Sequence, residues 1–401
     1  MRILQLVNRI PYPLNDGGNI GVHYYTEGYL HAGVNLSMLA MNTTRHWIDV
    51  ERLPALYKKL AYFKAIKVDN RVKPMDAFLN LFKKSSYNID RFISDDYTKE
   101  LILLLQNNTY DVVQLEGLFL VPYIEVIRKY SKAKIAIRQH NIEFRIWERL
   151  AVQAKNPFKK AYLHLLAKRL KAYELQHMND YDLVLPISKE DEKFFKNLGA
   201  TSPTFLHPFG IQTENIPFSP CADQPLSLYH IGAMDWLPNQ ESVDWLIENV
   251  IPLVVAKMPE IKLYLAGRNM PQHYFQKQSK NIEVLGEVPD AQAFERDKSI
   301  LVVPLLSGGG VRIKIFQAMA MGKTIVTTSI GVEGIEAVDG RDVFVADNPQ
   351  DFANKIIDIL NHPEWIQQTG LAARALVETK YNRTVLIHQL LQRYNELCKL
   401  Q

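Results

Sequence analysis

Residues 299–334, SILVVPLLSGGGVRIKIFQAMAMGKTIVTTSIGVEG, constrain the fold more tightly than any other stretch. The unbroken apolar run from Ile300 to Leu306 predicts a strand buried on both faces, as in a parallel sheet covered by helices. Three glycines follow. Val311, Ile315, Ala318 and Met319 then recur at helical spacing, Gly322 sits where a helix stops, and Lys323 to Thr328 reads as the next buried strand. At Gly308, Gly309 and Gly310 there is no Cβ to hold a ligand away, and the following helix offers unpaired N–H groups and a positive dipole end. Arg312 and Lys314 are cations at a helix start, a disfavoured place unless an anion lies there. The combination fits a diphosphate, although any tight turn also suits glycine and both cations can extend to water. A Walker A reading fails, because Gly322-Lys323-Thr324 follows the helix instead of opening it.

Ser307 to Gly334 resembles the nucleotide-sugar site of GT-B glycosyltransferases of the retaining family 4 type, whose bacterial members often read close to GGGxRxKxxEAMAxGKxxVxTxxGxEG. Two positions depart from that pattern. Gln317 replaces the glutamate that holds the ribose, and Gly309 stands where many members carry the first glutamate of a pair. An amide still bonds a ribose hydroxyl but brings no charge. The resemblance implies an α/β protein of two Rossmann-like domains facing across a cleft: an acceptor-binding domain at 1–205, a linker at 206–225, a donor-binding domain at 226–380, and a last helix, 381–401, returning to the first domain. A length of 401 residues agrees with two cores.

Along the chain, Ile3 to Val7 opens a βαβ unit whose glycines, Gly17 and Gly18, resemble the pair that covers the donor phosphates in GT-B enzymes. Strands ending at Glu116 and at Arg138-Gln139-His140-Asn141-Ile142-Glu143 bring those tips to a ligand-bearing sheet edge. The RxHNxE pattern is similar to that of many bacterial sugar transferases, which marks His140 as catalytic, able to donate to a sugar hydroxyl or to steady developing charge. Glu116, Asn141 and Glu143 are the acceptor-side candidates. In the second half, the turn after Leu228–Ile231 offers Asp235 and Asn239 to the donor sugar or to a helix cap. By the same resemblance, the backbone near Val288 meets the base and Glu333 reaches a donor hydroxyl. Arg312 and Lys314 neutralise the leaving diphosphate.

Net charge is +4, but residues 1–200 carry roughly 30 basic and 21 acidic side chains, against roughly 17 and 22 in the remainder. That asymmetry suits a first domain facing anionic lipid or a phosphate-bearing acceptor; scattered solvated charge is the plainer reading. Residues 57–92 interleave Leu60, Phe63, Phe78, Leu81 and Phe82 with lysines, which offers peripheral contact with an anionic membrane. Two cysteines without metal-type spacing, an N-terminal apolar run too short for a signal peptide and no spanning segment suggest the cytoplasm, with the inner face of the cell membrane as a working place.

The expected reaction moves a sugar from a nucleotide diphosphate sugar to a glycan or lipid-linked acceptor with retention. It calls for no cofactor, no metal ion (there is no DxD motif) and no nucleic acid. A GT-B epimerase using Glu116 and Glu143, or a non-catalytic nucleotide-sugar-binding subunit explaining Gly309 and Gln317, are the alternatives.

Overall fold

The structure is a computed structural model that describes residues 1–14, 17–220, 226–308 and 312–399. The chain forms two compact units, Met1–Phe209 with Arg383–Gln401, and Gly210–Asn382. The polar, proline-rich stretch read as a linker is packed into them: His207 and Phe209 are buried in the first unit, and Ile211, Thr213 and Ile216 in the second. Cys221 to Pro225 lie outside the described residues.

In the first unit six parallel strands run in the order β3-β2-β1-β4-β5-β6. They are β1 (Arg2–Val7), β2 (Asn35–Thr43), β3 (Tyr62–Val68), β4 (Val112–Glu116), β5 (Lys134–Gln139) and β6 (Leu183–Pro186). Alternation along the strands sorts the side chains. Leu4, Leu6, Val113 and Leu115 pack into one core cluster, while Ile3, Val7, Val112 and Ala136 pack into another on the opposite face. The second cluster is covered by the opening helix Gly17–His31 and by the closing helix Arg383–Lys399, which contributes Ile387, Leu390, Tyr394 and Leu397.

The second unit repeats the design. Its strands are β7 (Leu228–Ile231), β8 (Leu263–Ala266), β9 (Ile282–Gly286), β10 (Ile300–Val303), β11 (Thr324–Thr327) and β12 (Phe344–Val345), ordered β12-β11-β10-β7-β8-β9 and all parallel. Strand order reverses at β1/β4 in one unit and at β7/β10 in the other, the places where open α/β sheets bind ligands. Among the described residues no helix is long and apolar enough to cross a membrane.

Candidate active site

In the second unit the switch point is built around Lys314. The helix Ile313–Met321 follows β10, with Arg312 at its N-cap and Gly322 closing it in the left-handed conformation (φ 73°). From the first turn, Lys314 Nζ donates to Asn239 Oδ1 at 2.8 Å and lies 3.4 Å from His230 Nε2. His230 Nδ1 donates to the carbonyl of Val302 at 2.8 Å, across the β7–β10 seam, which leaves Nε2 as an acceptor turned to the ammonium. Burial first, and the lysine's charge second, hold that imidazole well below its ordinary pKa. Lys314 is likewise pushed down, to about 7, by burial and then by the Arg312 guanidinium, with Glu295 opposing. Two cations thus stand together at a helix N-terminus, and the hydrogen-bond partners of Lys314 are neutral groups.

The backbone around this cluster is as close as it can be. A Cβ on Gly232 would lie 2.8 Å from Lys314 Nζ and 2.7 Å from the Asn239 amide nitrogen. Gly308, at φ +103°, has the Trp236 ring 2.9 Å from where its Cβ would stand. Neither position admits another residue without moving the site.

In the first unit, strand tips at β1, β2, β4 and β5 line a cavity of about 290 Å³. The carboxylate of Glu116 lies at its floor, 2 % exposed. Its Oε1 accepts from Gln5 Nε2 (2.8 Å) and Gln114 Nε2 (2.5 Å), and its Oε2 from His140 Nε2 (2.9 Å) with Arg138 at 3.5 Å. Burial alone would raise this carboxyl; the His140 hydrogen bond and the Arg138 charge outweigh it and hold the pKa at about 2. His140 is pushed down by burial and by Arg138 against the pull of Glu116, so the ring is neutral with its proton on Nε2 and its Nδ1 lone pair remaining. The two glutamines are themselves aligned. Gln5 Oε1 accepts from Thr26, and Gln114 Oε1 accepts from Tyr29 and from Tyr394 of the closing helix. Glu143 opens the helix Glu143–Gln153 and is raised to about 7 by burial, with the Asn141 side chain opposing.

Comparison with known proteins fits this geometry. Residues 225–362 match the family model of glycosyl transferases group 1. The match lies within the second unit, Gly210–Asn382. Over 397 residues the chain is 23 % identical to an uncharacterised 44.6 kDa protein in the cps region of Klebsiella pneumoniae, covering 95 % of this chain and 96 % of that one. Among solved structures it is similar to sucrose-phosphate synthase from Thermosynechococcus elongatus (TM-score 0.72, 17 % identity, all of both chains). It is also similar to Anabaena HepE in complex with UDP-glucose (TM-score 0.66, 12 % identity, 98 % of this chain and 99 % of that chain). The fold is GT-B.

Within the second unit, the structure brings Lys314, Asn239 and the Gly308 turn together, with Arg312 beside them. Gly309, Gly310 and Val311 lie outside the described residues. Val288 and Gln317 are half-buried and Glu333 is exposed, and among the described residues none of the three shares a hydrogen bond with the lysine. Asp235 and Asn239 do not cap a helix: the helix Leu237–Trp245 begins at Trp236 without a side-chain cap, Asp235 takes the Asn269 amide, and Asn239 bridges Lys314 and the carbonyl of Ala233. In the first unit Gly18, Glu116, His140, Asn141 and Glu143 share the cavity, while Gly17 is exposed at the helix start. Sequence reasoning overlooked His230, Gln5 and Gln114, and it named Arg138 only as part of the RxHNxE tip. Their one signal is a polar residue inside a run that should be wholly apolar.

Proposed function

We propose that this chain is a retaining glycosyltransferase that moves a sugar from a nucleotide diphosphate sugar to an acceptor hydroxyl in surface-glycan or lipid-linked oligosaccharide assembly. The observation that carries the reading is the pairing of Arg312 with Lys314 at the helix N-terminus, within the stretch that matches group 1 glycosyl transferases, around a turn that admits no side chain. As the glycosidic bond breaks, the diphosphate gains negative charge, and fixed cations with N–H groups stabilise it without reorganising and without a metal ion. Asp235, Asn239, Val288, Gly308, Gln317 and Glu333 serve the donor, with Gly17 and Gly18. His140 serves the sugar through Nδ1, as an acceptor of a hydroxyl proton, since Nε2 is committed to Glu116. Glu116 then acts by orienting His140, while Asn141 and Glu143 meet the acceptor. An epimerase would need both carboxylates poised to titrate at the sugar; Glu116, held at about 2, does not fit that role, which leaves Glu143, raised to about 7, without its partner.

The cps-region relative supports surface polysaccharide as the product class, and the HepE complex makes UDP the first nucleotide to try. Of the apolar residues read as a membrane face, Leu60 is buried and Phe63 packs against the core, but Phe78, Leu81 and Phe82 are exposed, with Met75 and Leu79, next to Lys83 and Lys84, which supports peripheral binding to anionic lipid at the cytoplasmic face. Phe78→Ser/Phe82→Ser should release the protein from phosphatidylglycerol vesicles in a flotation assay; unchanged binding removes the membrane part.

The deciding experiment is thermal denaturation with UDP, GDP, ADP and CMP. A nucleotide at one hundred times its dissociation constant adds about 2.7 kcal/mol of apparent stability. One nucleotide should raise the melting temperature of the wild type and leave Arg312→Ala unmoved. His140→Ala should keep the nucleotide response and lose turnover, whereas a non-catalytic binding subunit has no turnover to lose. No response to any nucleotide would remove the transferase reading.

A further inference from the structure

The cavity of the first unit is divided by the sheet order. At the end of β4 and after β5 come Glu116, His140, Asn141 and Glu143; after β1, β2 and β3 come Arg9, Arg45, His46 and Asn70, with Arg91 alongside. Arg9 reaches His140 through its charge, but Arg45 and Arg91 have no use in the chemistry assigned to that histidine. Arg45 and Arg91 are near enough that the charge of Arg45 lowers the pKa of Arg91, after burial, and among the described residues neither is paired with a carboxylate. The Nε of Arg91 is buried with no hydrogen-bond partner, although its Nη1 donates to the carbonyl of Asn70 at 3.0 Å. Of the carboxylates nearby, Glu143 sits at the β5 end of the cavity with its pKa raised to about 7, and the others are committed elsewhere. Asp69 takes Arg71 and Lys73, and Glu116 takes His140 and Arg138. Guanidinium groups of like charge held at one cavity, with no carboxylate paired to either among the described residues, offer their planar donor edges to a carboxylate or phosphoryl oxygen.

We propose that this cationic end of the cavity binds an oxyanion, phosphoryl or carboxylate, carried by the acceptor. The proposal rests on the transferase reading for the word acceptor; the anion site itself does not. The position sets the acceptor's shape. β2 and β5 are three strand spacings apart, roughly 14 Å at about 4.8 Å each, so the charged group lies well away from the hydroxyl that meets His140. A neutral monosaccharide would leave the cations unanswered.

The test uses the full chain without nucleotide, titrated with inorganic phosphate and, separately, with glucuronate, against sodium chloride at matched ionic strength, with melting temperature and intrinsic fluorescence as readouts. One or both anions should stabilise the wild type beyond chloride, and which one assigns the group. Arg45→Ala, at an exposed side chain, and Arg45→Ala/Arg91→Lys, which keeps one charge but loses both planar donor edges, should each weaken that binding, the double variant by about tenfold or more. With phosphatidylglycerol–phosphatidylcholine vesicles, binding weakened by the double variant would place the phosphoryl group on a lipid head, and unchanged binding on a soluble acceptor. Anion binding no greater than that of chloride overturns the proposal, as does a phosphate response that survives in the double variant and is lost in Arg312→Ala. No response to UDP, GDP, ADP or CMP, with phosphate binding intact, would remove the transferase reading and leave the anion site standing.

Discussion

At the scale of single residues, the clearest consequence concerns Lys314. A lysine whose pKa is pushed down to about 7 is half-neutral near that pH, and its buried charge opposes folding below it; the opposition fades as pH rises from about 7 toward the ordinary lysine value. A bound diphosphate reverses the balance by favouring the ammonium. Nucleotide binding at pH 8 should therefore take up a proton, and affinity should fall as pH climbs from 7 to 9. Calorimetry in two buffers of different ionisation enthalpy measures the uptake directly. Lys314→Arg, always charged, should abolish it, and binding without proton uptake in the wild type would separate Lys314 from the nucleotide. The lysine was legible in the sequence because a cation at a helix start is misplaced on its face. His230, which presents a lone pair to it, was not, because a histidine in the middle of LYHI reads as one more buried strand residue. The same holds for Gln5. Gln5 meets Glu116 through a strand register that pairs residues more than a hundred positions apart, which no local pattern carries, whereas Gln114, two residues before Glu116 on β4, shares its face by simple alternation.

Among the elements, the closing helix does more than cover a sheet. It lies against the opening helix where Gly28 is the contact: a Cβ there would stand 2.8 Å from Ile387 Cγ1. Gly28→Ala should overpack this crossing and cost about 1–3 kcal/mol in denaturant unfolding, although alanine is ordinarily the better helix former. A stabilised variant would show that the crossing yields. Through Tyr394 the closing helix also supplies a hydroxyl to Gln114, whose amide then points its Nε2 at Glu116. Tyr394→Phe leaves Tyr29 on the same oxygen, so stability should drop by only about 1 kcal/mol, while the titration of His140, followed by NMR, should shift because the carboxylate beside it loses a fixed neighbour. An unmoved His140 titration would confine Tyr394 to packing. Strand and helix order were readable from apolar runs and glycine stops. The start of the helix after β7 was not: it begins at Leu237, between the two expected caps Asp235 and Asn239, because Pro238 suits a first turn and needs no polar cap.

For the whole molecule, the decisive point is that the last helix in sequence belongs to the first unit. Ile387, Leu390, Tyr394 and Leu397 enter the cluster built by β1, β2 and the opening helix. At about 2 kcal/mol for each buried side chain, they contribute roughly 8 kcal/mol, which is comparable to the entire stability of a typical domain, about 5–15 kcal/mol. A fragment of residues 1–209 should therefore fail to fold, even though it contains every strand of its sheet. The second unit draws its core from its own residues, with strands β7 to β12 and the helices Pro349–Asn361 and Glu364–Lys380 all lying between 210 and 382. Expressed alone, 210–382 should be folded and retain the nucleotide response, because Arg312, Lys314, His230 and Asn239 all travel with it. Removing residues 383–401 from the full chain should then give a protein with one cooperative transition and a preserved nucleotide shift, its first half open to limited proteolysis. If the truncated chain instead resists proteolysis throughout, the closing helix is an accessory to the first unit, and its tyrosine no longer explains how Glu116 and His140 are held.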